Sequence, residues 1–392
     1  MAKYDFDRVV DRRNTYSIKH GSAAQRGKPE DALPLWVADM DFQSPPCVID
    51  ALTKQSRHGI FGYSDTGDAY LETLRSWFAR RFNWDTEPYR LIKTPGVVTA
   101  IFIAVRALTE TGDAILIQQP VYYPFASAVQ RTGRKLVVNE LIYENGKYSI
   151  DFDDFEAKAA GSQVKLFILC NPHNPVGRVW TRAELTRLGD ICVRHGITVI
   201  SDEIHQDFVY DGHRHSIFAE LNPAYRDLTV TCTAPSKTFN LAGLQLSNIF
   251  IANARLWEAF QREYGRCGLS QPGVMGIAAC QAAYEGGEDW LEDLLSYLAG
   301  SAALMRDFLR ERIPRIRMTE PEGTYLAWVD FRALGLDGPT LDEMILRKAK
   351  LWLDDGPMFG AGGSGFQRIN YACPRSVLLE ALERLERAIS PI

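Results

Sequence analysis

A chain of 392 residues, 46% apolar and 24% charged, has the balance of a folded protein and length for about two or three domains. Its 49 acidic against 44 basic residues leave a net charge of -5, and no dense Lys/Arg block marks a nucleic-acid or anionic-membrane surface. No run approaches the ~18 apolar residues of a membrane helix, so neither nucleic acid nor membrane is expected as a partner.

The N-terminal stretch "MAKYDFDRVVDRRNTYSIKH" has no apolar core, which makes Arg12-Arg13 a poor export signal. The cysteines (Cys47, Cys170, Cys192, Cys232, Cys267, Cys280, Cys373) form no CxxC pair. That spacing suits reduced, packed thiols in the cytoplasm better than disulfides or zinc.

The first ~40 residues stand outside the rhythm that follows and are assigned to a smaller domain. From about residue 90 to 250, short β-rich apolar runs alternate with segments of helical spacing. The runs are "AILI" (114–117), "KLVV" (135–138), "KLFIL" (165–169), "ITVIS" (197–201), "LTVTC" (228–232) and "NIFIA" (248–252). Strands apolar on both faces and separated by helices predict a mostly parallel α/β sheet covered on both sides. After about 280 come a long helix around "DWLEDLLSYLAGSAALMRDFLRER", a strand "TYLAWVDF", a helix near 340–350, a glycine-rich loop and a terminal helix. The expected division is a large α/β domain over 45–285 and a small α+β domain over 1–44 and 286–392.

In open parallel sheets, ligands bind beyond the carboxyl ends of the strands. Those ends carry "QQPVYYPF", "CNPHNPVGRVW", "DEIHQDF" and "TAPSKTFN". Asp202 follows an apolar run, so burial raises its carboxyl unless a cation is near; a helix N-cap or structural ion pair is the plainer alternative. Asn174 lies in a loop stiffened by prolines, where a simple turn role is the alternative. Lys237, if desolvated beside those groups, can present a neutral amine for a Schiff base. A cofactor that takes up an amine, carries a pyridinium needing a carboxylate and lies flat under an aromatic ring is pyridoxal phosphate. Its phosphate needs an anion site. In "TPGVVTAIFIAV" the free amides of Gly96, Val97 and Val98 at a helix start supply one, with the Ser236 hydroxyl in addition.

The ordered set "GVVTAI", "NPHNPVG", "SDEIH", "SKTFNLAGL" and "RINYACPR" resembles fold-type I pyridoxal phosphate enzymes of the class I/II aminotransferase superfamily. The segments "LPLWVADMDFQSPP", "GIFGYS" and "GPMFGAGGSGFQRIN" narrow the resemblance to the MalY/PatB branch of cystathionine β-lyases, or C-S lyases. It covers nearly the whole chain and implies an aspartate aminotransferase-like fold. By resemblance, Lys237 holds the cofactor and shuttles the Cα proton, Asp202 pairs with the ring nitrogen, and Asn174 bonds the ring hydroxyl oxygen. Tyr122 stacks on the ring, Arg368 grips the substrate carboxylate with a planar fork, and Tyr63 reaches the phosphate of a neighbouring subunit in a homodimer. His205, counted among the cofactor-binding residues, stands where many aminotransferases have tyrosine; Gln245 stands where they have arginine.

The implied reaction is β-elimination from an S-substituted cysteine such as cystathionine. Its alternatives are an aminotransferase, or a regulatory binding scaffold with residual lyase activity. "FGAGGSGF" (359–366) lacks the GK[ST] of a phosphate loop and reads as a flexible loop placing Arg368 on a following strand. "HRH" (213–215) reads as a solvated turn rather than a metal site.

Overall fold

The computed structural model describes residues 3–161 and 163–390. Its main sheet contains β1 (Arg90–Thr94), β2 (Ala114–Gln119), β3 (Lys135–Glu140), β4 (Val164–Cys170), β5 (Thr198–Asp202), β6 (Thr229–Thr233) and β7 (Ser247–Ile251). They are hydrogen-bonded in the order β1-β7-β6-β5-β4-β2-β3. Pairings among β2 to β6 are parallel, and β7 is antiparallel to both neighbours. Hence β1 points the same way as β2 to β6, and all six end at one edge. The six expected strands are present. β1 escaped the sequence pattern because Arg90 and Lys93 interrupt an edge strand that is only partly buried. The reversal of β7 has no signature, since its residues are as buried as those of parallel β6.

Alternate strand residues feed two cores, as the period of two requires. Ile115, Ile117 and Ile168 pack with the helix Val97–Leu108 on one face. Leu116, Phe167 and Val199 pack with Leu185, Leu188 and Ile191 of the helix Arg182–His195 on the other. Each fully buried side chain of this size contributes about 1.5–3 kcal/mol. The second helix is well delimited: Thr181 and Glu184 form a reciprocal cap, and Gly196 ends it at φ 64°.

Chain order sets the position of the crevice. From β2 the sheet grows outward to β3, whereas from β4 it grows the opposite way through β5 and β6. The reversal falls between β2 and β4, where ligands bind in such sheets.

A second, antiparallel sheet runs β8 (Arg317–Met318), β9 (Leu326–Asp330), β11 (Phe366–Asn370), β10 (Asp354–Asp355) in spatial order. The front of the chain joins this region. Leu33–Pro34 pairs in parallel with Leu351–Trp352, the Asn370 N–H donates to Leu35 O at 2.9 Å, and the Asp41 N–H to Ala372 O at 2.9 Å. The long helix Glu288–Arg312 packs against the terminal helix Arg375–Ile389. The glycine-rich loop is more ordered than expected, with two 3-10 turns, Gly356–Phe359 and Ala361–Gly363. A Cβ on Gly363 would lie 2.0 Å from the Gly356 oxygen, so the two turns close only on glycine.

Candidate active site

The edge where β1 to β6 end opens into a cavity whose lining includes Gly96, Val97, Val98, Tyr122, Asn174, Asp202, His205, Ser236 and Lys237. Arg368, on β11, joins them from the second sheet: its Nη1 donates to Asn174 Oδ1 at 3.0 Å. Tyr63 alone among the expected residues stands apart, fully exposed and outside the lining.

Asp202 ends the central strand β5, and its Oδ1 accepts from the Ile204 N–H at 3.1 Å. Turns follow it, not a helix, which removes the N-cap alternative. No ion pair among the described residues neutralises it, and burial pushes its carboxyl up to about 7. Lys237 sits in the short helix Pro235–Thr238 after β6. Burial lowers its amine to about 8, and Nζ donates to Ala38 O at 2.6 Å. His205 is buried, its basicity driven well below the ordinary range by desolvation, and its Nδ1 has no partner among the described residues. The loops after β2 and β4 are tied together by Tyr122 N–H donating to Asn174 O at 3.0 Å.

At the anion end, one expectation is corrected. Gly96 does not offer a free amide, because its N–H donates to Thr94 O at 2.8 Å. The first-turn amides of Val97 and Val98, which no side chain caps, remain as donors. Gly96 contributes conformation instead, at φ 106°, ψ 152°, a region essentially restricted to glycine. The "HRH" reading is corrected as well. His213 and Arg214 are exposed, but His215 is buried with Nε2 2.8 Å from Glu203 Oε2. A buried glutamate needs such a partner. Among the described residues no cluster of His, Cys, Asp or Glu could hold a metal, and no helix is long and apolar enough to cross a membrane.

Several contributors escaped the sequence reading. Arg368 Nη2 donates to Trp36 O at 2.8 Å and pairs with the buried Asp354 carboxylate, which burial raises and Arg368 pulls back down. Arg368 Nε is buried without a partner among the described residues. Asp39 pairs with Arg12 at 2.6 Å, and Asp41 with Arg12 at 2.6 Å and the buried Lys19 at 2.7 Å. These pairs pin the run Trp36–Asp41 against the site. Gln245 also lines the cavity, in left-handed conformation at φ 50°.

Residues 30–385 match the profile described as aminotransferase class I and II. The chain belongs to this family. It is 42% identical to cystathionine beta-lyase PatB of Bacillus subtilis (strain 168), over 98% of this chain and 100% of that one. Among solved structures it resembles cystalysin from Treponema denticola, which contains a pyridoxal 5'-phosphate cofactor, with a TM-score of 0.95, 38% identity and 99% of both chains covered. It also resembles the PLP-bound C-S lyase from Staphylococcus hominis, with a TM-score of 0.92 and 34% identity, covering 99% of this chain and 98% of that one. Family members therefore share this chain's fold over essentially its whole length.

Proposed function

We propose that this chain is a pyridoxal-phosphate-dependent carbon-sulfur β-lyase, cleaving L-cystathionine or related S-substituted cysteines to a thiol, pyruvate and ammonia. The observation that carries the reading is the meeting of Lys237, Asp202 and Asn174 in one cavity, with Arg368 bonded to Asn174, in a chain 42% identical over its length to a cystathionine beta-lyase. The residues fit the cofactor on their own terms. A buried carboxylate without an ion pair suits a ring cation, and a buried imidazole nitrogen without a partner suits a polar ring substituent.

When bound, pyridoxal phosphate supplies an aldehyde that takes up amines and a ring that stores the electron pair left at Cα. Lys237 would hold it, and Asp202, ionised by a cationic neighbour, would keep the ring nitrogen protonated. Asn174 commits Oδ1 to Arg368, which leaves Nδ2–H to donate to the ring hydroxyl oxygen. Tyr122 would cover the ring face. Val97 and Val98 amides, the Ser236 hydroxyl and the helix dipole would meet the phosphate. Arg368 would orient the substrate through its α-carboxylate. Once the substrate amine had taken its place on the aldehyde, the freed Lys237, its amine already lowered by burial, would take the Cα proton as general base.

Purified protein supplied with pyridoxal phosphate and L-cystathionine should release homocysteine, pyruvate and ammonia in equal amounts, and Lys237→Ala should not. Amino transfer without thiol release would overturn the reading in favour of an aminotransferase.

We further read the chain as a homodimer with composite sites, supported by exposed Ile60, Phe61 and Tyr63, which shortly precede Asp65, the ion-pair partner of Lys93 on β1, and by exposed Tyr16 and Ile18. Tyr63 of a second copy would then complete the phosphate site. The division into a large domain (45–285) and a small one (1–44 with 286–392) is supported by the pairing of Leu33–Pro34 with Leu351–Trp352. A cytoplasmic location is supported by cysteines that are all free and mostly buried.

A further inference from the structure

Arg26 closes the 3-10 turn Ala24–Arg26 and is exposed. Its guanidinium carbon lies 4.9 Å from the centre of the Trp36 ring. That indole is itself stacked on Trp352, with centroids 4.3 Å apart and planes at 12°. Both tryptophans lead back to Arg368. The Trp36 carbonyl oxygen accepts from Arg368 Nη2, and Trp352 lies two residues before Asp354, whose carboxylate pairs with the same nitrogen.

Tyr123 connects the two arginines on another side. Its ring faces Phe359 at 6.1 Å, and Phe359 lies 5.0 Å from the Arg368 guanidinium carbon. Its phenol also lies within the electrostatic reach of Arg26, Arg368 and Asp354. The two cations differ in one respect. Arg368 has the Asp354 carboxylate beside it, whereas Arg26 makes no ion pair among the described residues. A guanidinium laid on an indole keeps its orientation while its N–H edge stays open to a planar anion.

Resting on the β-lyase reading above, we infer that Arg26 receives a carboxylate on the leaving-group end of the substrate. The site then favours cysteine thioethers that carry acid groups on both sides of the sulfur over neutral S-alkyl cysteines. The stacked Trp36 and Trp352 hold Arg26, and Tyr123 walls the path between the two cations.

The test compares L-cystathionine with S-methyl-L-cysteine on the holoenzyme, in wild type, Arg26→Ala and Arg26→Gln, with thermal unfolding of each variant as a check on folding. Both replacements should raise KM for cystathionine about tenfold while leaving its kcat, and both constants for S-methylcysteine, unchanged. Wild-type KM for cystathionine should also climb with added salt more steeply than that of the variants. If wild type releases pyruvate from both thioethers and the variants alter the two equally or not at all, the Arg26 inference is overturned and the lyase reading stands. If wild type releases pyruvate from neither, the lyase reading falls and takes this inference with it.

Discussion

Lys237 Nζ donates a hydrogen bond to the main-chain oxygen of Ala38 at 2.6 Å, across 199 residues of chain. The Tyr325 hydroxyl donates to the same oxygen at 2.9 Å. On either side, Val37 O and Asp39 O each accept from Asn370 Nδ2 at 2.6 Å. The acceptor for the lysine is thus fixed by its own neighbours, at the carboxyl ends of the strands.

Burying that amine has a cost that depends on pH. The folded chain gives up the Lys237 proton near pH 8, the unfolded chain near 10.5. The cost is therefore full below about pH 8 and fades as pH rises towards 10.5. Cofactor-free Lys237→Met should be more stable than the cofactor-free wild type at pH 7 by about 2 kcal/mol, and the gap should narrow above pH 9. Urea unfolding at the two pH values measures it. In the loaded enzyme, Lys237→Ala should lower pyruvate release by about 10²–10⁴-fold.

Asp202 has the opposite sign. Its folded carboxyl titrates near 7 against 3.8 in the unfolded chain, so the folded state holds more protons between those values. The contribution of Asp202 to stability of the cofactor-free protein therefore declines as pH rises from about 4 to 7. Asp202→Asn should flatten that decline and leave the cofactor-free protein no less stable at pH 8. The same replacement should cost the loaded enzyme about 10²-fold or more in kcat. A variant with full turnover would detach Asp202 from the chemistry.

Arg368→Lys keeps the charge and loses the fork. KM for cystathionine should rise about 10–100-fold, read from initial rates of pyruvate release. Asp354→Ala acts elsewhere, by leaving the Arg368 guanidinium buried without its carboxylate. A destabilisation of about 3–5 kcal/mol is expected from chemical unfolding.

Gly96→Ala places a side chain at φ 106°, where nothing crowds the new methyl but the backbone itself is strained. The expected cost is about 1–3 kcal/mol of stability, together with faster loss of pyridoxal phosphate on dialysis, followed by absorbance. Unchanged retention would separate this turn from the phosphate.

A composite site makes a distinctive demand on mixtures. Lys237→Ala and Tyr63→Ala are each expected to be impaired alone. In a mixed dimer, one site carries both defects and the other carries neither. Mixing the two purified variants under conditions of subunit exchange should restore activity, and failure to do so would separate Tyr63 from the neighbouring site.

Residues that follow directly on a buried parallel strand were legible in the sequence. Tyr122, Asn174, Asp202 and Lys237 fall at the carboxyl edge because strand direction puts them there. What the sequence concealed depends on chain crossings. Asp354 is an unremarked acid in "LWLDDG" until β10 pairs with β11 and sets it against Arg368. Ala38 acts through a carbonyl, a group that every residue carries. His215 looked solvated because nothing in "HRH" announces Glu203, twelve positions upstream, on a buried strand end. The amide of Gly96 looked free because its partner, Thr94 O, lies two residues back in an irregular turn.

The oxygens of Trp36 and Ala38 serve the two cationic side chains of the cavity, and both belong to the run, bent over Val37–Asp39, that the N-terminal ion pairs pin down. Replacing Val37 with another β-former leaves those acceptors where they are. Adding or removing one residue in that run moves them by up to about 3.8 Å, the spacing of consecutive Cα atoms, and takes them out of reach of Arg368 and Lys237. The front of the chain is consequently tolerant of spelling and intolerant of length.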